Sequence, residues 1–222
     1  MGGRRRPDDG ADWSVERVTG AASDLFGLPA PMPPARLVRL LTVDGPAVVL
    51  GSTQPAPAEA PVGLDVVRRQ SGGGAVLLAP GAQVWADVFI PRGDPHWDDD
   101  VARAFLWLGE VWVDALARVG VGGAAVHHGG LCTTQWSRVV CFAGLGTGEV
   151  TIGERKVVGL SQRRTRAGAL FQCAVPFVWR PARLVDALGL PPAALDDLAD
   201  VVAPVTDVDA TTLQDALLGE LR

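Results

Sequence analysis

Lysine is almost absent from this sequence: of the 20 lysine and arginine residues, Lys156 is the one lysine. Arginine therefore supplies the basic charge of the surface. Retention of a single lysine suggests a site that needs a compact ammonium, where a planar, bidentate guanidinium would not fit. Chance is the alternative explanation, so the motif around Lys156 has to decide between the two.

Cysteine and histidine are also scarce, with three of each. Cys132, Cys141 and Cys173 form no CxxC pair and cannot all pair with one another, which disfavours a disulfide scaffold and a zinc knuckle. The histidines lack the i, i+4 spacing of a helical metal site. The sequence therefore predicts free thiols in a reducing compartment and no metal held by protein side chains alone.

Long apolar runs are missing, and so is an excess of positive charge. The net charge is -5, so no global field would draw the chain to nucleic acid or to an anionic membrane. The apolar runs are short, and the N-terminus lacks the apolar core of a secretory signal. Hydrophobic residues at 48% and charged residues at 20% are ordinary globular values. We expect a cytoplasmic protein without nucleic-acid or membrane partners.

The chain divides into a short tail and one domain. Residues 1–14 combine glycine, proline and mixed charges with few apolar side chains, which predicts a flexible tail. Residues 15–222 are long enough for a single domain with a sizeable core.

Hydrophobic periodicity predicts both strands and helices in that domain. The expected strands are 36–43, 46–50, 64–70, 75–78, 83–90, 138–142, 150–152, 155–162 and 169–177. The turn pair Asp44-Gly45 predicts that the first two strands form a hairpin. The expected helices are 98–118, 181–188, 191–202 and 211–222. This pattern indicates an α+β domain with a mixed, mostly antiparallel sheet and flanking helices.

A glycine run with two arginines before it is the first candidate site. The segment reads Arg-Arg-Gln-Ser-Gly-Gly-Gly-Ala-Val over residues 68–76. Backbone N–H groups of such a run can cradle phosphate oxygens, and a flexible loop is the alternative. The segment differs from the Walker loop, because no Gly-Lys-Ser/Thr follows, and from the Rossmann fingerprint, because no helix opens after the glycines.

A second motif surrounds Lys156 and reads Gly-Glu-Arg-Lys-Val-Val-Gly-Leu-Ser-Gln-Arg-Arg over residues 153–164. Together with the glycine run upstream and the strand Pro46–Gln54, which ends in Gly-x-x-Gln, it resembles the lipoate-protein ligase and octanoyltransferase family. The resemblance covers about residues 33–180. It implies a biotin-ligase-like catalytic domain, here without the separate C-terminal accessory domain of longer ligases.

The resemblance implies an ATP-dependent ligase in which Lys156 meets the acyl carboxylate and the activated phosphate. Lipoate or octanoate would become an acyl-AMP with the help of Mg²⁺, and the acyl group would then pass to a lysine of a lipoyl domain. Strand alternation is expected to place Val158, Leu160 and Gln162 on the same side as Lys156. The implied substrate- and nucleotide-binding residues are Arg68, Arg69, Ser71, Gly72, Gly73, Gly74, Ala75, Gly159, Ser161 and Gln162.

Two other activities remain open. Cys141-Phe142 resembles the Cys-Phe of one octanoyltransferase group, which takes octanoate from acyl carrier protein through an enzyme thioester and needs no ATP or other cofactor. Lys156 would then draw the thiol proton, and Cys173 is a second candidate nucleophile. Alternatively, Leu78-Ala79 and Gly81-Ala82 stand where the ligases commonly carry His-Asp and Gly-Asn, as in a non-catalytic acyl-binding accessory protein.

Overall fold

Two sheets form the centre of the computed structural model, which describes residues 13–221. The strands are β1 Ser14–Gly20, β2 Leu37–Val43, β3 Ala47–Leu50, β4 Asp65–Arg68, β5 Val76–Leu78, β6 Gln83–Pro91, β7 Ala124–Val126, β8 Val150–Ile152, β9 Arg155–Arg164 and β10 Gly168–Pro176. The large sheet has the order β1-β2-β6-β10-β9-β8-β7, and the small sheet has the order β4-β3-β5.

Both sheets are mixed. Only β1 with β2 and β3 with β4 run parallel among the strand pairs of the described residues. The α+β class with a mostly antiparallel sheet is therefore confirmed. Residues 1–12 of the predicted tail lie outside the described residues, and β1 begins at Ser14.

Helices pack against the faces of the two sheets. They are α1 Ala22–Phe26, α2 Leu106–Arg118, α3 Pro181–Leu188, α4 Ala194–Leu198 and α5 Ala210–Glu220. Pro181 stands at the first turn of α3, where its missing N–H costs nothing. Asp209 caps α5 by accepting a hydrogen bond from the Thr212 backbone N–H at 3.0 Å.

Alternation along the strands divides the apolar side chains among three cores. One face of the large sheet packs on α2 and α5, with Trp112 fully buried between them and the sheet. Its other face meets the small sheet and α1 around Trp85. The far face of the small sheet packs on α3 and α4. The small sheet is thus an inner layer, and its strand β3 is buried along its whole length.

The hairpin predicted at Asp44-Gly45 is wrong. Strand β2 pairs with β1 on one side and β6 on the other, while β3 belongs to the small sheet. Both edges of β2 are therefore occupied, and the chain crosses from one sheet to the other at the turn. The Asp44 backbone N–H donates to the Gly20 carbonyl, which fixes this crossing beside the end of β1.

The largest differences from the predicted bounds lie in three other elements. The helix expected at 98–118 begins as α2 only at Leu106, after a turn of 3₁₀ helix at Arg103–Phe105. The strand expected at 138–142 is a turn followed by one turn of 3₁₀ helix, Cys141–Ala143, joined to the glycine run by a single bridge from Val140 to Ala75. The helix expected at 191–202 is reduced to α4, because residues 201–203 instead hydrogen-bond to the backbone of Lys156. Residue 222 of the last predicted helix lies outside the described residues.

No helix within residues 13–221 has both the length and the apolar character needed to cross a membrane.

Candidate active site

Two rows of side chains cross the face of the large sheet that meets the small sheet. The register of β9, β10 and β6 places the members of each row opposite one another. One row is Gly159, Ala174 and Trp85, and the next is Ser161, Gln172 and Asp87. Gly159 has a packing reason to lack a side chain, since a Cβ there would lie 3.1 Å from Phe142 Cζ.

A cleft lies over these rows. Its polar lining comes from Arg69, Cys141, Ser161 and Gln172. Its apolar walls include Phe26, Val76, Leu78, Trp85 and Phe142. Clefts that are mostly apolar with a few convergent polar groups are the usual form of small-molecule sites.

The Lys156 ammonium lies directly behind Cys141 and Phe142. It is 2.7 Å from Glu149 Oε2, donates to the Cys141 carbonyl at 3.0 Å and stands 5.4 Å from the centre of the Phe142 ring. The residue is only 3% exposed. Lys156 therefore fixes the turn that carries Cys141 and places a buried positive charge behind the cleft.

A bulge in β9 overturns the expected alternation after Lys156. Thr151 pairs with Lys156 but Val150 pairs with Val158, so one extra residue sits between the two pairs. Val158 and Leu160 consequently belong to the core under α2. Gln162 lies opposite Phe171 of the same core. Gly159 and Ser161, by contrast, lie on the same face of the sheet as Lys156. The expected placement of Val158, Leu160 and Gln162 beside Lys156 is thus wrong.

Glu149 is the site residue that sequence reasoning missed. Besides the Lys156 ammonium, it accepts hydrogen bonds from the backbone N–H groups of Gly146 at 2.6 Å and Leu160 at 3.1 Å. It is 6% exposed. A buried carboxylate is retained only with such partners. The available signal was its position across the β8–β9 hairpin from Lys156.

The two arginines before the glycine run are bound to backbone carbonyls. Arg68 donates to the carbonyls of Gly51 and Gln54, and Arg69, which is 4% exposed, donates to those of Gly72 and Gly74 at 2.7 and 2.8 Å. The guanidinium groups therefore shape the glycine run in this structure. Phosphate binding by Arg68, Arg69 and Gly72–Ala75 stays a prediction.

Cys141 and Cys173 lie in different surroundings. The Cys141 sulfur lines the cleft and is 4.0 Å from Arg69 Nη2. Its backbone N–H donates to Ala75, which ties it to the glycine run. Burial raises the pKa of the Cys173 thiol to about 12, so Cys173 stays protonated at neutral pH and is a poor nucleophile.

A chain of polar side chains connects the glycine run to the middle of the large sheet. Ser71 Oγ lies 3.1 Å from Ser161 Oγ and donates to Gln172 Oε1 at 3.0 Å. Gln172 interacts in turn with Asp87, which accepts from Trp85 Nε1 at 2.9 Å. Burial raises the pKa of the Asp87 carboxyl to about 7, against the opposing effects of Trp85, Gln172 and Arg39.

Asp87 should make the stability of the protein depend on pH. Folded Asp87 keeps its proton up to a pKa of about 7, whereas the unfolded group loses it near its ordinary pKa of 3.8. The folded state then binds more protons between these values, so the free energy of unfolding falls by about 3 kcal/mol as pH rises from 4 to 7. Arg39 on β2 and its partner Glu16 on β1 are the charged groups beyond Asp87 in this row.

Urea unfolding at pH 4.5 and 7.5 measures this effect in wild type, Asp87→Asn and the exposed control Asp65→Asn. In Asp87→Asn the free energy of unfolding should change little between the two pH values, whereas in Asp65→Asn it should decrease as in wild type. An equal fall in all three proteins would assign the pH dependence to other groups.

No set of three or more histidine, cysteine, aspartate or glutamate side chains in the described part of the chain is placed to hold a metal ion.

The sequence matches the family model described as the lipoyl protein ligase A/B catalytic domain over residues 32–221. The comparison with curated protein sequences found no match. Among solved structures, a lipoate-protein ligase A bound with ATP is similar at 17% identity and a TM-score of 0.69, over 94% of this chain and 83% of that one.

A putative lipoate protein ligase from Thermoplasma acidophilum with bound lipoic acid is 18% identical, with a TM-score of 0.69 over 94% of this chain and 84% of that one. The bi-partite lipoate protein ligase of the same organism, studied with its E2 lipoyl domain, is 18% identical, with a TM-score of 0.69 over 95% of this chain and 82% of that one. These likenesses show the fold, and the family match covers most of the sequence. The chain therefore belongs to the lipoyl protein ligase A/B catalytic domain family.

Proposed function

We propose that this protein forms an amide bond between a lipoyl or octanoyl group and a lysine of a lipoyl domain. One observation carries the proposal: a mainly apolar cleft is lined by Cys141 and the buried Arg69, and the buried Lys156 ammonium holds the Cys141 carbonyl from behind. Such a cleft suits a medium-length hydrocarbon chain whose carbonyl carbon must be held near polar groups.

The geometry favours activation of the acyl group as a thioester on Cys141. The sulfur attacks the carbonyl carbon of an octanoyl carrier-protein thioester, the bond to the carrier sulfur breaks, and the carrier leaves as a thiol with the proton of Cys141. The acceptor lysine then attacks the Cys141 thioester, and the amide forms while the Cys141 thiol is regained. The fixed charge of Arg69, 4.0 Å from the sulfur, stabilises negative charge that develops there.

In this route Lys156 is a positioning residue. Its ammonium is paired with Glu149 and bound to the Cys141 carbonyl. A paired ammonium has no lone pair with which to take the thiol proton, so its contribution is electrostatic and structural.

An ATP-dependent route is the second candidate, favoured by the order of the two motifs and by the ATP-bound ligase of the same fold. The acyl carboxylate would attack the α-phosphate of MgATP and release pyrophosphate, and the acceptor amine would then displace AMP. Since Arg68 and Arg69 are engaged with backbone carbonyls, this route needs either a rearrangement of the arginines or phosphate contacts from the backbone of the glycine run.

The mass of a lipoyl domain incubated with the purified protein tests both routes. The donors are octanoyl carrier protein without ATP, and lipoate or octanoate with MgATP. Gain from the carrier alone supports the thioester route, and gain only with ATP supports the ligase. No gain from either donor, with an acyl ligand still bound, would make the chain an accessory protein.

Replacement of Cys141 by serine separates the routes further. On the thioester route we expect Cys141→Ser to lose at least a hundredfold in transfer rate, because a serine hydroxyl is a much weaker nucleophile than a thiolate. Without acceptor, wild type should gain the mass of one octanoyl group and the variant none. The matched control is Cys132→Ser, which changes an exposed cysteine outside the cleft and should behave as wild type. Full activity of Cys141→Ser would exclude the thioester.

A further inference from the structure

The apolar end of the cleft has a defined floor. Trp85 lies in the same row as Gly159, two strands away across β10. Neighbouring strands are about 4.8 Å apart, so Trp85 lies about 10 Å from the strand that Phe142 covers. Extended chain advances about 3.5 Å over three bonds, which makes the seven carbon–carbon bonds of an octanoyl chain about 8 Å long. The distance therefore matches a chain of this length.

Trp85 is held in one orientation from two sides. Its indole Nε1 donates to the buried Asp87 carboxyl at 2.9 Å, and the Phe26 ring of α1 lies 4.5 Å from its ring, centre to centre. The side chain is 3% exposed. Rotation of the indole out of the cleft would leave a buried carboxyl without its donor and would break the aromatic contact, so the floor is rigid.

We infer that Trp85 is the residue that limits the length of the acyl chain, and that Asp87 positions it. The inference deepens the proposed function and rests on it, because it names the substrate class of the same cleft as medium-chain acyl groups. With a smaller side chain at position 85, the cleft extends toward Phe26 and Asp87, and acyl chains longer than eight carbons find room.

Chain-length preference is the measurement. Wild type and Trp85→Leu are offered octanoyl, decanoyl and dodecanoyl donors by the active route, and kcat/KM is compared. Burial of each additional methylene should raise kcat/KM about fourfold. The ratio of decanoyl to octanoyl kcat/KM should therefore rise by about tenfold or more in Trp85→Leu. Val84→Ala is the control, because Val84 lies on the same strand but faces the core under α2. It should lose stability without a change in this ratio.

Three further variants test the contributions of Phe26 and Asp87 separately. Phe26→Ala removes the other aromatic ring from a partly exposed position and should also favour longer acyl chains. This variant keeps the inference testable if Trp85→Leu does not fold. Asp87→Leu removes the acceptor for the indole and should broaden the preference, whereas Asp87→Asn, which keeps an acceptor oxygen, should restore the preference of wild type.

Failure of this inference is distinct from failure of the proposed function. If wild type transfers acyl groups and the ratios in Trp85→Leu and Phe26→Ala equal those of wild type, Trp85 does not set the length. If wild type transfers nothing from any donor, the proposed function fails, and calorimetric binding of octanoate, decanoate and dodecanoate decides the inference. Equal relative affinities in wild type and variants, or no binding to wild type, would overturn it.

Discussion

Lys156→Arg should reduce acyl transfer to the lipoyl domain at least a hundredfold while the protein remains folded. The ammonium fits between Glu149 Oε2, the Cys141 carbonyl and the Phe142 ring, in a position that is almost fully buried. A guanidinium keeps the charge but is larger and planar, so it displaces the turn that carries Cys141. Misplacement of a reacting group by about 1 Å can cost about a hundredfold in rate.

The control for this variant is Arg155→Lys, one residue earlier on the same strand. Arg155 is exposed and is paired with Asp200 at 3.3 Å, and its replacement should change the rate by less than about twofold, as expected for a surface ion pair. Steady-state rates and circular dichroism of both variants make the comparison. Full activity of Lys156→Arg would remove Lys156 from the site.

Glu149→Ala should have the largest effect on stability, a loss of about 3–5 kcal/mol. The substitution removes the carboxylate partner of the buried Lys156 ammonium, and it removes the acceptor of the Gly146 and Leu160 N–H groups. For a chain of this size the loss corresponds to a melting temperature roughly 10 °C lower. Urea unfolding and calorimetry measure both quantities.

A double substitution tests whether the unpaired charge causes the loss. Glu149→Ala with Lys156→Met removes both charges and should be more stable than Glu149→Ala alone. The exposed turn residue Glu154 provides the control, since Glu154→Ala should change stability by less than about 0.5 kcal/mol. A loss below 1 kcal/mol in Glu149→Ala would mean that the buried pair contributes little.

The motifs around the glycine run and Lys156 predicted the family because both are local. Each is a short segment whose residue order is readable without knowledge of its neighbours, and the family match over residues 32–221 confirms the assignment. Strands β8, β9 and β10 were likewise predicted almost to their ends, since their alternation and the turns between them depend on nearby residues.

Pairing between strands was harder to predict. The Asp44-Gly45 turn indicated a hairpin, but β6 occupies the edge of β2 that β3 would have used. The choice between these partners depends on residues 83–91, far along the chain. The bulge after Lys156 also depends on distant residues. Strand periodicity assumes that successive side chains alternate between the two faces without interruption. The bulge interrupts this alternation next to Lys156, whose backbone pairs with residues 201–203.

The sequence by itself determined the fold class and the family and singled out Lys156 as a candidate site residue, because these follow from local order and periodicity. Only the tertiary structure decided what surrounds that lysine. Glu149 as its partner, Arg69 beside the Cys141 sulfur, and Asp87 beneath Trp85 all depend on which strands become neighbours. Burial then raises the pKa of the Asp87 carboxyl, and burial is a property of the packed chain that no short segment contains.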